Sequence, residues 1–327
     1  MDPLTHVLTG VAMSRAGLNR WAPRPTLLMV LAANAPDIDV LTAAGGALNY
    51  LHYHRHITHS FVFLPALALA TAGLVRLTVR GGFPWMRAIT LAAIGVASHL
   101  LLDWTNIYGI RLLLPFSFDW YRLDSTSVID IWIWVVLGIA WIWPFLSRLV
   151  SSEIGARPAS GRGLAIAALC FIAMYDFGRW VVHRRVSATL EAYNYEGAAP
   201  LDVTAAPNAV NPLEWRGLVQ TQAGYLVHRV SLLDPFDPTA GRSLPQAGEH
   251  ARIEAARATE TFRVFLNFCR RPLWRVTPTD EPENGTRVEA FDLRFGIPPG
   301  GTFTAVAILD SEQRVLDSWF SFRGGRR

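Results

Sequence analysis

The sequence predicts a mainly α polytopic membrane helical bundle over residues 1–184, followed by a small β-rich (α+β) soluble domain over residues 185–327. Three observations carry that expectation. Hydrophobic residues make up 51% of the chain and charged residues only 17%, against a usual ~25% charged. Long apolar runs are confined to the first part, and alternating segments bounded by turn formers to the second.

In chain order, residues 4–18 and 25–35 are short apolar segments that pair as a hairpin dipping into the membrane. Thr9, Gly10, Ala12 and Gly17 permit close helix packing, and Pro36-Asp37 stops the second segment. Runs 61–80, 88–104, 129–147 and 163–182 each approach the ~20 residues that span a bilayer. Trp104, Trp120, Trp132, Trp143 and Trp180 sit near run ends, as in an interfacial aromatic belt. Asp2 stands where a signal peptide would carry basic residues, so no cleavable leader is expected. Beyond residue 185, Leu218–Val230, Arg287–Phe295, Phe303–Leu309 and Arg314–Phe322 read as strands, and Gly248–Cys269 as a helix.

All 30 basic residues are arginine, scattered rather than striped, so no nucleic-acid partner is expected. Cys170 and Cys269 are too isolated for a disulfide framework or a metal knuckle. The chain lacks a GxSxG elbow, a phosphate-binding P-loop and a dinucleotide fingerprint in context.

Chemistry concentrates instead in His and Asp residues near the ends of apolar segments, where ionisable groups are costly and therefore functional candidates. His99 and Asp103, four apart, share a helix face. They can hold one cation, or the carboxylate can orient the imidazole, or the pair can simply bind helices together. Asp37 and Asp39 offer two carboxylates after Pro36, as ligands or as a capped turn. His52, His54, His56 and His59 cannot all lie on one helix face. Asp130 opens run 129–147 as a helix cap or as a ligand.

Placing the Arg76–Arg87 loop in the cytoplasm puts Arg15, Arg20, Arg24, Arg148, Arg157 and Arg162 there too. His6, Asp37, His59, His99, Asp103 and Asp130 then converge on the outer face. Arg184 and Arg185 argue for the inverse orientation, which preserves the convergence.

A His/Asp set without Cys suits Zn²⁺ first, then Mn²⁺ or Fe²⁺, one or two ions per chain. The expected chemistry is hydrolysis by a metal-activated water of a phosphoester or other ester, lipid or near lipid. Arg55, Arg111 and Arg122 are candidates to bind the phosphate, and Asp39 or Asp130 to act as base. The alternatives are an ion-handling or transport protein and a non-catalytic scaffold with a structural metal.

Four stretches carry a family resemblance: Asp2-Pro3-Leu4-Thr5-His6, Ala35-Pro36-Asp37-Ile38-Asp39, His54-Arg55-His56-Ile57-Thr58-His59-Ser60 and His99-Leu100-Leu101-Leu102-Asp103. They resemble those of the membrane-bound metal-dependent hydrolases, the YdjM-like family. Asn106, Gly109 and Pro115 fit its loop after the His–Asp helix. Asn211–Arg216 and Asp292–Gly296 resemble the C-terminal extension of some members. The resemblance implies a multi-pass inner-membrane protein with a bound metal. By position its ligands would be His6, Asp37, His54, His59, His99 and Asp103, with His52 and His56 outside the pattern.

Overall fold

The computed structural model describes residues 1–155, 157, 160–248, 251–269, 271–300 and 303–322. The helices of the first half are α1 (Pro3–Ala16), α2 (Pro25–Asn34), α3 (Ala47–Tyr53), α4 (Leu64–Arg76), α5 (Trp85–Thr105), α6 (Ile131–Ile154) and α7 (Arg162–Glu191). A 3-10 segment, Pro36–Gly45, follows α2, and a 3-10 turn, Ile57–His59, precedes α4. The chain packs as two compact units. The first comprises Met1–Asp39, Arg55–His183 and Pro207–Pro212; the second comprises Val40–His54, Arg184–Ala206 and Leu213–Arg327.

In the first unit Asp2 caps α1, its carboxylate accepting from Leu4 N at 3.0 Å and Thr5 N at 3.1 Å. Helices α5, α6 and α7 are long and apolar enough to cross a membrane. Among the described residues the count rises to five if two bent pairs each span: Pro25–Asn34 with Pro36–Gly45, bent by 50°, and Ala47–His59 with Leu64–Arg76, bent by 88°. Run 61–80 therefore does not form a full span by itself. Ser60 Oγ accepts from Phe63 N and starts the turn into α4, while Thr78 Oγ1 donates to Val75 O at its far end.

Small residues set the packing. A Cβ on Gly10 of α1 would lie 2.9 Å from Met29 O, and one on Gly95 of α5 would lie 2.6 Å from the Ala32 Cβ. These glycines let α1 and α5 approach α2 closely. One apolar core joins α1, α2, α4 and α5 through Met13, Leu28, Met29, Leu67, Leu91 and Val96. Another joins α1, α5, α6 and α7 through Leu8, Leu102, Leu137 and Ile172.

The second unit has two four-stranded antiparallel sheets, each a simple meander. One is β1 (Asp202–Pro207), β2 (Glu214–Gln220), β3 (Gly224–Ser231) and β4 (Arg242–Pro245). The other is β5 (Leu273–Thr279), β6 (Gly285–Phe291), β7 (Thr304–Leu309) and β8 (Val315–Ser321). Helices α8 (Ala251–Arg257) and α9 (Glu260–Phe268) precede the second sheet. Phe262, Phe265 and Phe268, spaced by three, give α9 one buried face.

Three details differ from the sequence expectation. Leu218–Val230 is a hairpin rather than one strand, turning at Gly224, whose φ of +147° suits glycine. A Cβ there would lie 2.3 Å from Leu244 O. The helix expected over Gly248–Cys269 breaks at Thr259, whose hydroxyl accepts from Phe262 N and caps α9. Glu249 and His250 of that segment lie outside the described residues. Strand β6 ends at Phe291, because Asp292 caps a 3-10 turn through Arg294 N. The Asp292 carboxylate also takes both Nε, at 3.0 Å, and Nη2, at 2.6 Å, of Arg294. Helix α3 packs in this unit against α9 and β8.

Candidate metal centre

Three segments bring four side chains together in the first unit. Asp37 follows α2, His59 precedes α4, and His99 and Asp103 lie in the last two turns of α5. His59, His99 and Asp103 have fully buried side chains, and that of Asp37 is 16% exposed. One donor atom from each of the four lies within 4.8 Å of all the others. His59 Nε2 is 3.1 Å from His99 Nε2. Each imidazole Nε2 also approaches both carboxylates. His59 is 3.5 Å from Asp37 Oδ1 and 3.4 Å from Asp103 Oδ2, and His99 is 3.6 and 3.3 Å from the same atoms.

The surrounding hydrogen bonds decide what these atoms offer. His99 Nδ1 lies 2.7 Å from Ala33 O, which only accepts, so Nδ1 carries the proton. His59 Nδ1 faces Asp39 Oδ2 at 3.2 Å and Thr58 Oγ1 at 3.1 Å. Thr58 Oγ1 gives its own proton to Asp39 Oδ2 at 3.0 Å, so His59 Nδ1 is the donor here as well. Both Nε2 atoms are then lone-pair acceptors directed at each other and at two carboxylate oxygens. Acceptors facing one another in this way are stabilised by a shared cation.

The donor set fits a divalent metal ion. Tetrahedral N and O ligands at ~2.0–2.1 Å from zinc are separated by roughly 3.3 Å. Five of the donor pairs stand 3.1–3.6 Å apart. Carboxylate–histidine contacts on the far ring nitrogen are the usual way to orient such ligands.

Asp103 is held on its other oxygen. Oδ1 receives Arg55 Nη2 at 3.0 Å and Asn106 Nδ2 at 3.3 Å, and pairs with the Met1 amine. Oδ2, aimed at the two imidazoles, has no hydrogen-bond partner among the described residues. His6 is fully buried and stacks on His99 with ring centroids 3.7 Å apart. Its Nε2 lies 3.4 Å from Asp103 Oδ1, and neither ring nitrogen has a hydrogen-bond partner among the described residues.

The other sequence candidates make contacts of their own. His54 ends α3 in the second unit, its ring stacked on Tyr50 at 4.4 Å. His52 rests edge-on against Tyr53. Asp39 accepts from Arg55 N at 2.8 Å as well as from Thr58 and His59. Asp130 caps α6 through Trp132 N and accepts from Tyr175 Oη at 3.1 Å. The Arg55 guanidinium is buried, lies over the Tyr108 ring and donates to Asn106, Gly109 O and Met1 O besides Asp103. Arg111 is buried over Trp120, and Arg122 pairs with Asp124 at 3.1 Å. Sequence reasoning missed the Ala33 carbonyl, which orients His99. Every residue carries a carbonyl, so no side-chain signal could have found it.

Fold and site together define a helical membrane protein with a buried His/Asp cluster able to hold a metal ion. The chain belongs to the family described as YdjM inner membrane protein, whose sequence profile matches residues 1–186. Residues 251–323 match a second profile, the YfhP C-terminal alpha/beta plait domain. The whole chain is similar to a protein of Bacillus subtilis (strain 168) titled "Uncharacterized protein YfhP". The two are 24% identical over 337 residues, covering 98% of this chain and 94% of that one. No solved structure matches.

Proposed function

We propose that this protein is a membrane-embedded metal-dependent hydrolase, acting on a phosphoester or other ester in or near the lipid surface. The observation that supports it best is the convergence of four acceptors from Asp37, His59, His99 and Asp103 at zinc-like spacing. A bound divalent ion would supply Lewis acidity towards the ester oxygen and a water of lowered pKa. Zinc is the first choice for this donor set, with manganese and iron next.

The chain's own groups divide the remaining work. Ala33 O and Asp39 keep the protons of His99 and His59 on Nδ1, so that both Nε2 atoms stay basic. Arg55 and Asn106 hold Asp103 so that Oδ2 faces inward. Asp37 is the donor with exposure, so substrate approaches from its side. Arg122, partly exposed and paired with nearby Asp124, is better placed than buried Arg55 to meet a phosphate. Asp39 and Asp130 are both engaged as acceptors, and this reading gives Asp39 the orientation of His59. The arginine-bearing loops favour an outward-facing site.

The test is elemental analysis of the detergent-purified full chain, wild type beside His59→Ala and His99→Ala, followed by a phosphoester and lipid screen. One or two equivalents of zinc, manganese or iron, lost in both variants with any activity, is the expected result. Metal-free protein after replenishment with divalent ions would sink the reading.

A further inference from the structure

We infer that Asp39 and Arg55 form a clasp that positions two of the four metal donors, and that the docking of α3 in the C-terminal unit sets how tightly that clasp closes. The inference rests on the metal-centre reading above. Its first support is the path of the chain. The polypeptide leaves the first unit after Asp39 and re-enters it at Arg55, and everything between, Val40–His54, packs in the second unit. The two neck residues are joined directly, Arg55 N donating to Asp39 Oδ2 at 2.8 Å.

The second support is what each neck residue holds. The same Asp39 oxygen faces His59 Nδ1 at 3.2 Å, and Arg55 Nη2 reaches Asp103 Oδ1 at 3.0 Å. Opening the neck would thus release the far sides of His59 and Asp103 together. Arg55 also sits at φ +57°, a left-handed conformation that non-glycine residues adopt only where surrounding contacts impose it. The backbone bond to Asp39 and the buried guanidinium contacts are such contacts.

The third support is how the excursion is anchored. Within the second unit α3 packs on α9 and β8. The Tyr50 ring stacks on His54 at 4.4 Å and meets Phe322 edge-on at 5.7 Å. Phe322 in turn contacts Phe303 at 5.1 Å and Phe320 at 4.9 Å. The aromatic core of the plait domain therefore holds the residues immediately before Arg55. A rigid docking of α3 limits the freedom of the neck, and loosening it transfers that freedom to Asp39 and Arg55. Both are treated as positioning residues because each acts on a donor from its far side, Asp39 on His59 and Arg55 on Asp103.

The experiment measures Co²⁺ affinity and visible absorption of the full-length protein in detergent, together with amide exchange over residues 47–60. Asp39→Asn and Arg55→Lys keep size and fold and should weaken Co²⁺ binding by about 10–100-fold, with an altered ligand-field spectrum. Tyr50→Ala and Phe322→Ala, neither of them a donor, should speed exchange over 47–54 and weaken Co²⁺ binding by roughly 10-fold, the lower end of that range. Leu316→Ala, an exposed position on β8, should match wild type. Wild-type affinity and spectrum in Asp39→Asn and Arg55→Lys would overturn the positioning roles. Faster exchange over 47–54 with unchanged Co²⁺ binding would overturn the link to α3. If wild type binds no Co²⁺, the metal reading fails separately. The clasp is then judged by exchange over 55–60, which Asp39→Asn must accelerate if the neck is real.

Discussion

The two units bury acidic residues in opposite ways. In the plait unit, Asp292 faces Arg294 through several charge-assisted bonds and also caps a backbone turn. The Arg294 head further donates to Phe268 O and lies against the Phe268 and Phe295 rings. Each charge there meets a donor or acceptor of opposite kind, which is how a buried pair becomes structural. In the membrane unit, His59 Nε2, His99 Nε2, Asp37 Oδ1 and Asp103 Oδ2 are all acceptors and all face inward. The contrast shows that burial alone does not mark a ligand. The mark is a set of like groups gathered face to face and able to share a cation.

The sharpest way to break this contrast is His99→Ala or Asp103→Asn. Each should lower metal retention by more than about 100-fold, at or beyond the upper end of the loss seen when a supporting residue is changed. Elemental analysis after dialysis reads the effect, and full retention in both would equate the two clusters. Next, Asp292→Ala leaves Arg294 buried without its carboxylate and should destabilise the plait unit by about 3–5 kcal/mol. Denaturant unfolding followed by tryptophan fluorescence measures it, and metal content should stay unchanged. A smaller effect is expected from Gly95→Val. The added atoms press on Ala32 beside the carbonyl that orients His99. Overpacking of this kind costs about 1–3 kcal/mol, and metal affinity should fall roughly 10-fold although no donor is lost, since ~1.4 kcal/mol is tenfold.

The smallest effect concerns pH. His228 is buried beside Tyr195 and Phe236, and burial holds its imidazole below the usual value of 6.5, against a weaker opposing pull from Asp237. The unfolded chain therefore takes up a proton below that value before the folded chain does. Stability of the plait unit should be level above it and decline as pH falls through and below it. Thermal melts from pH 8 to 5 would show the slope, which His228→Phe should remove.

Much of this organisation is legible in local sequence. The apolar runs, the caps at Asp2 and Asp130, and the three-residue spacing of Phe262, Phe265 and Phe268 each announce their element. Asp37, His59, His99 and Asp103, four of the ligands implied by the motifs, bring their donor atoms into one group. The i, i+4 pair was legible because one helix turn fixes it. The roles of the flanking residues were not. Arg55 and Asp39 read as a phosphate binder and a base, and the structure engages them in holding Asp103 and His59.

By itself, then, the sequence determined which segments are apolar, where helices start and which residue types can bind a metal. These properties depend on neighbours within a few residues along the chain. Only the tertiary structure decided that Asp37 and Asp103 share a centre, that Ala33 O orients His99, and that Val40–His54 packs with the plait domain. Those outcomes depend on how closely helices approach at Gly10 and Gly95 and on which buried acceptor finds which donor. A pattern of 3.6 or 2 residues specifies which face is buried, but not the group that will stand opposite it.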